Sequence, residues 1–149
     1  MPIGLVVAML VGAQATSGAA PIEDKHVRAR IALMNSQKYA LEGLIALSSG
    51  RVPYDSRAAR NLRKQLLATT KDIDRRFRKQ RDDPNSHAKP EVWIYWDDFK
   101  ARAKRAEAAT KAVKTWSLED LRGSLPNLIR ACHSCHQSFR EHVNEFTTH

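Results

Sequence analysis

The apolar residues of this chain recur every three or four positions in four separate stretches, which is the period of amphipathic helices. The first stretch predicts a helix from about Glu23 to Ser49, with Val27, Ile31, Met34, Leu41, Ile45 and Ser48 along one seam broken by Lys38. Gly50 follows as a natural C-cap. Arg51-Val52-Pro53-Tyr54-Asp55 is the connection, and Asp55 or Ser56 can cap the next helix. In that second helix Ala59, Leu62, Leu66, Thr69, Ile73 and Phe77 make the seam, ending before Asp82-Asp83-Pro84-Asn85. A longer loop runs to Pro90. The third helix begins near Glu91 and turns Val92, Trp96, Phe99, Ala103, Ala106 and Val113 inward. Ser117-Leu118-Glu119-Asp120 reads as a capping box that opens the fourth. There Leu121, Leu125, Leu128, Cys132, Cys135, Phe139 and Val143 alternate by four and three.

No stretch sustains a period of two, so no strand is predicted. Four heptad-like seams joined mostly by short loops predict an all-α fold, an antiparallel four-helix bundle. Pro126 falls inside the fourth pattern, where it removes a backbone bond and should kink the helix about two turns before the cysteines.

Residues 1–20 carry no charged side chain. Their apolar run, Ile3 to Val11, is too short to span a bilayer. The small residues behind it, including Ala13-Gln14-Ala15 and Ser17-Gly18-Ala19, suit a signal peptidase. The basic residues that usually open such a signal are missing after Met1-Pro2. The expectation is a signal peptide over residues 1–20, cut after about Ala15 to Ala20, and export of a soluble bundle domain over residues 21–149. The plain alternative is a disordered apolar tail. No later segment is long and apolar enough to be transmembrane.

The net charge of +9 is concentrated. Between Arg57 and Arg81 there are ten Lys or Arg against two acids, Asp72 and Asp74. Such a cluster steers acidic partners, which could be a redox protein, a lipid surface or nucleic acid. The opposing reading is a solvated helix face with Asp72–Arg76 and Asp74–Arg78 pairs at helical spacing. No nucleic-acid motif accompanies the charge, and that partner is set aside.

The chemistry lies in Cys132-His133-Ser134-Cys135-His136, a C-x-x-C-H segment, the attachment signature of c-type haem. On a helix, residues i, i+3 and i+4 share one face, so both thiols and the imidazole can address one side of a flat macrocycle. The thiols add across its two vinyl groups, and His136 reaches the iron as proximal ligand. A thioredoxin-type site would need a strand before the helix. A zinc site would need four tetrahedral ligands, difficult from one short segment. Inert core thiols would leave His136 unexplained.

The chain resembles the class II cytochromes c, the cytochrome c′ family, over nearly all of its length after residue 20. The resemblance rests on C-x-x-C-H near the C-terminus, within C-H-S-C-H-Q-S-F-R from Cys132 to Arg140. It rests also on G-R-V-P-Y-D from Gly50 to Asp55, and on Lys89-Pro90-Glu91-Val92-Trp93. It implies a four-helix bundle with one covalently attached haem c, a periplasmic location and the option of a homodimer. One branch of the family leaves the far side of the iron without a ligand. A smaller, low-spin branch is ligated there by a methionine from the first helix.

Placing Pro53-Tyr54-Asp55 in register puts Met34 at that position; the other methionines are Met1 and Met9. The resemblance thus implies His136 and Met34 as the axial pair, and such ligation raises the reduction potential. Met34 as an ordinary core residue is the alternative. Arg30 resembles the arginine that pairs with a haem propionate, and Arg140 would sit near the proximal face; each could equally be a solvated surface residue. Trp93, Trp96, Phe99 and Tyr54 read as packing residues. The expected function is one-electron transfer by a soluble carrier, with an acidic redox protein as partner. The alternative is a small-gas binder with a vacant distal site, for nitric oxide or carbon monoxide. No paired carboxylates or nucleophile–base pair point to an enzyme.

Overall fold

Asp24 starts the first helix. Its carboxylate accepts hydrogen bonds from the amides of His26 and Val27 at 2.7 and 3.0 Å, serving donors that have no partner within the helix. The resulting α1, Lys25–Ser49, ends at Gly50, whose φ of 79° only glycine adopts without strain. Asp55 caps α2, Ser56–Thr70, through the amides of Arg57 and Ala58. A short α3, Ile73–Phe77, follows; beyond a loop come α4, Glu91–Ile94, and α5, Trp96–Ala112. Ser117 caps α6, Leu118–Phe139: its Oγ accepts from the Asp120 amide and donates to the Asp120 carboxylate. This computed structural model describes residues 21–141. The expected signal peptide and the Val143 end of the fourth seam lie outside those residues.

The long helices form a ring in which α1 packs on α2, α2 on α5, α5 on α6 and α6 on α1. That is the antiparallel four-helix bundle. Its core has two parts. An aliphatic cluster joins Leu44 and Leu47 of α1, Leu66 of α2 and Leu121, Leu125 and Leu128 of α6. An aromatic cluster at the other end joins Leu33 of α1, Phe77 of α3, Val92 of α4, Phe99 of α5 and Phe139 of α6. Phe99 is its hub, with ring centroids 5.2 to 5.5 Å from Phe77, Trp96 and Phe139.

Several expectations need correction. The buried stripe of α1 is Val27, Arg30, Leu33, Ala40, Leu44 and Leu47, displaced from the expected seam, whose Ile31, Met34, Leu41 and Ile45 are half-buried. Because α1 packs on both α2 and α6, its apolar face is wide enough to hold two adjacent stripes. The second helix breaks after Thr70. The hydroxyls of Thr69 and Thr70 donate back to the carbonyls of Leu66 and Leu67, a competition that bends helices. The third breaks at Tyr95, with φ −109° and ψ 48°. Pro126 does lie inside the fourth helix, as expected: α6 runs from Leu118 to Phe139 around it. It lies on the exposed face, where water can serve the carbonyl it leaves unbonded. Asp72 pairs with Arg75 as well as Arg76, and the expected Asp74–Arg78 pair is absent among the described residues.

Arginines finish the helix ends. Arg63 donates to the Thr110 and Lys111 carbonyls at the end of α5, and Arg122 to the Ser48 carbonyl at the end of α1. The Tyr54 hydroxyl donates to the Thr115 carbonyl, tying the first connection to the last. The long loop is pinned to the end of α6: Lys89 N–H donates to Phe139 O at 2.9 Å and Glu141 N–H to His87 O at 2.8 Å.

Candidate cofactor site

Cys132, Cys135 and His136 lie on one face of α6; the two cysteines sit at the join between the two core clusters, and His136 is exposed beside them. Cys132 packs against the aliphatic cluster and Cys135 against the aromatic one. Both side chains are half-buried. Burial pushes the Cys135 thiol up to about 11 and moves Cys132 in the same direction, so both stay protonated near neutral pH. His136 reaches solvent in part, yet the surrounding protein desolvates its ring. Desolvation first, then the charges of Arg140 and His133, hold its pKa below the ordinary histidine range. Its imidazole is therefore neutral, with a lone pair to offer.

Met34 is half-buried and packs on the same aromatic cluster as Cys135. One turn earlier, Arg30 is buried at 3% exposure. Its Nε donates to the Arg76 carbonyl at 3.2 Å and its Nη2 to the Lys79 carbonyl, so it closes the end of α3. Its guanidinium lies over the Phe77 and Trp93 rings, 5.2 and 5.0 Å from their centroids. It is not a solvated surface residue. Arg140 is exposed and follows α6, with its amide bonded to the His136 carbonyl.

Two contributors escaped the sequence reading. Arg102 of α5 donates from Nη1 to both the carbonyl and the hydroxyl of Ser134, each at 2.9 Å, gripping the residue between the cysteines. Its Nε meets Asp98 at 3.0 Å, an i,i+4 pair that the sequence does contain. The other is Gln37, one turn after Met34, whose buried Nε2 has no acceptor. Among the described residues no group of three or more His, Cys, Asp or Glu could hold a metal ion, and no strand precedes the C-x-x-C segment. A surface recess of about 610 Å³ lies near the start of α6, beside Ser117, Asp120 and Asn127, apart from the cysteines.

A model of the family described as cytochrome C′ matches residues 25–140. The chain belongs to the cytochrome c′ family. Cytochrome c-556 of Agrobacterium tumefaciens (strain apple 185) is 30% identical over 115 residues, 75% of this chain and 91% of that protein. The structure of R. palustris cytochrome c556 matches with a TM-score of 0.73 at 23% identity, over 80% of this chain and 98% of its own. Cytochrome c′ from Rhodobacter sphaeroides matches with a TM-score of 0.72 at 25% identity, covering 79% and 96%. As a cytochrome c′ family protein the chain binds covalently attached haem c. The residues present fit that group. Two thiols and a neutral imidazole share one helix face, and Arg30 Nη1 is a buried donor with no acceptor in the protein. A carboxylate on the macrocycle edge would satisfy it.

Proposed function

We propose that this cytochrome c′ family member is an exported, periplasmic one-electron carrier. In it Cys132 and Cys135 would hold a single haem c, and His136 and Met34 would be the residues that ligate its iron. The observation that carries the reading is the convergence of Met34 from α1 and Cys135 from α6 on one aromatic cluster. Met34 is the sole methionine beyond residue 9. The relative at 30% identity is named a cytochrome c-556 rather than a cytochrome c′.

Cys132 and Cys135 would each hold the group by a thioether bond, the sulfur bonding to one vinyl carbon and the thiol hydrogen going to the other. Burial raises both thiol pKa values, so the thiols are protonated near neutral pH. Haem iron supplies the one-electron couple. His136 offers its lone pair from one side, and Arg102 fixes the backbone of its helix at Ser134. Met34 offers a soft thioether that favours the ferrous state. Phe77, Phe99 and Phe139 are buried together and would keep water from a ring seated against them. Arg30 presents a fixed positive charge toward a propionate, and Arg140 adds another beside His136.

The partner is an acidic redox protein. Arg57, Lys64, Lys71, Arg78 and Lys79 are exposed and make no ion pair among the described residues. Lys71 precedes α3, and Arg78 and Lys79 follow it, so these three flank the helix that supplies Phe77 to the aromatic cluster. No helix among the described residues is long and apolar enough to cross a membrane.

Absorption and spin-state spectra of the holoprotein, with and without carbon monoxide, test the ligation. A low-spin spectrum with a thioether-to-ferric charge-transfer band, indifferent to carbon monoxide, is expected. Met34→Ala should then turn it high-spin. A high-spin wild-type spectrum that responds to carbon monoxide would make Met34 a distal wall and favour gas binding.

A further inference from the structure

Among the described residues, two buried side-chain nitrogens have no hydrogen-bond acceptor: Nη1 of Arg30 and Nε2 of Gln37. Both belong to α1, and they bracket Met34, four residues after the first and three before the second. Residues at this spacing share one face of a helix, so Arg30, Met34 and Gln37 form a single row. The Arg30 nitrogen has a partner in the proposed reading, a propionate. The Gln37 nitrogen has none.

Its level in the bundle limits what the missing acceptor is. Leu33, the turn before, lies in the aromatic cluster, whereas Ala40 and Leu44 lie in the aliphatic one. Gln37 sits between them on α1. Cys132 and Cys135 straddle the same join from the neighbouring α6. A glutamine side chain is as long in bonds as a methionine, so its amide reaches the depth that the Met34 thioether reaches. Leucine would fill this place without burying a polar group, and a buried donor that stays unpaired is costly.

We infer that Gln37 is the hydrogen-bond donor of the distal side, holding the outer atom of a diatomic ligand at the coordination position that Met34 otherwise takes. This rests on the haem reading of Cys132, Cys135 and His136 with Met34 opposite. A thioether sulfur is a weak acceptor, so the amide goes unsatisfied while Met34 is ligated. A diatomic that replaces Met34 supplies the acceptor. Gln37 therefore favours a diatomic ligand wherever Met34 leaves that position.

The test uses ferrous holoprotein with Met34→Ala, with and without Gln37→Leu, and carbon monoxide as the probe. A donor on the bound oxygen lowers the C–O stretching frequency. Gln37→Leu should raise that frequency and speed carbon monoxide loss roughly three- to tenfold, the worth of one hydrogen bond. A merely structural role would leave the stretch unmoved, and an identical frequency in the two proteins overturns the inference. Should the wild type prove high-spin, Met34 ligation fails and the stretch is compared without the Met34 substitution, where it decides in the same way. A purified chain without covalent haem would sink the cofactor reading and this inference together.

Discussion

At the scale of single residues, Arg30 carries the most structure for its size. One planar guanidinium serves two carbonyls at the end of α3, covers two aromatic rings and keeps one nitrogen free. Arg30→Met removes donors from both carbonyls, and holoprotein stability should fall by about 2–3 kcal/mol in urea denaturation. Arg30→Lys keeps the charge but cannot fork between two acceptors, so it should recover less than half of the loss. The sequence reached Arg30 only by resemblance, because its capping role depends on where α3 ends, and no glycine or proline marks that end. The C-x-x-C-H segment was readable outright, since its spacing and its chemistry coincide. Gln37 was not: a glutamine in the polar run Asn35-Ser36-Gln37-Lys38 reads as solvent-facing until the packing shows its nitrogen buried.

Among the elements, caps and breaks decide. The amides of Val27 and of Ala58 are the first causes that hold the Asp24 and Asp55 carboxyls below the usual carboxylate range. The unfolded chain takes up protons on these groups at higher pH than the folded one does. Their contribution is whole above the ordinary aspartate pKa of about 3.9 and is lost as pH falls through the lower folded values. Melting midpoints should therefore decline through that window, and the Asp24→Asn, Asp55→Asn double variant should flatten the decline. A matching slope in the variant would exclude the caps as its source. Pro126 offers an element-level gain: in an exposed, unbroken helix, Pro126→Ala should stabilise by about 2 kcal/mol, read as a raised urea midpoint at unchanged slope. Helices α1, α2 and α6 were legible because apolar period and caps agree, and α5, which has no capping side chain, by its period alone. The breaks at Lys71 and Tyr95 were not, because threonine back-bonding and a single odd ψ leave no periodic trace.

Over the whole molecule, the charge count of the basic stripe overstates the surface open to a partner. Arg63 is spent on the end of α5, Arg75 and Arg76 on Asp72, and Arg81 on Asp24 at 3.7 Å. Neutralising Lys64, Lys71, Arg78 and Lys79 together should slow reaction with an acidic redox protein at low salt and weaken its dependence on ionic strength. Neutralising Arg63 should instead lower stability. Equal rates for both variants at every salt concentration would remove this face as the docking surface. The aromatic cluster has a further consequence, one of timing. Its members span Leu33 to Phe139, and a chain is made from the N-terminus onward. Met34, Phe77 and Phe99 exist before the helix that must cover them and bring the cysteines. Until α6 arrives, that end stays an open apolar mouth with no way to close on itself. Maturation of this bundle is thus a race, in which attachment at the last helix competes with whatever else binds exposed aromatic surface in a nascent chain.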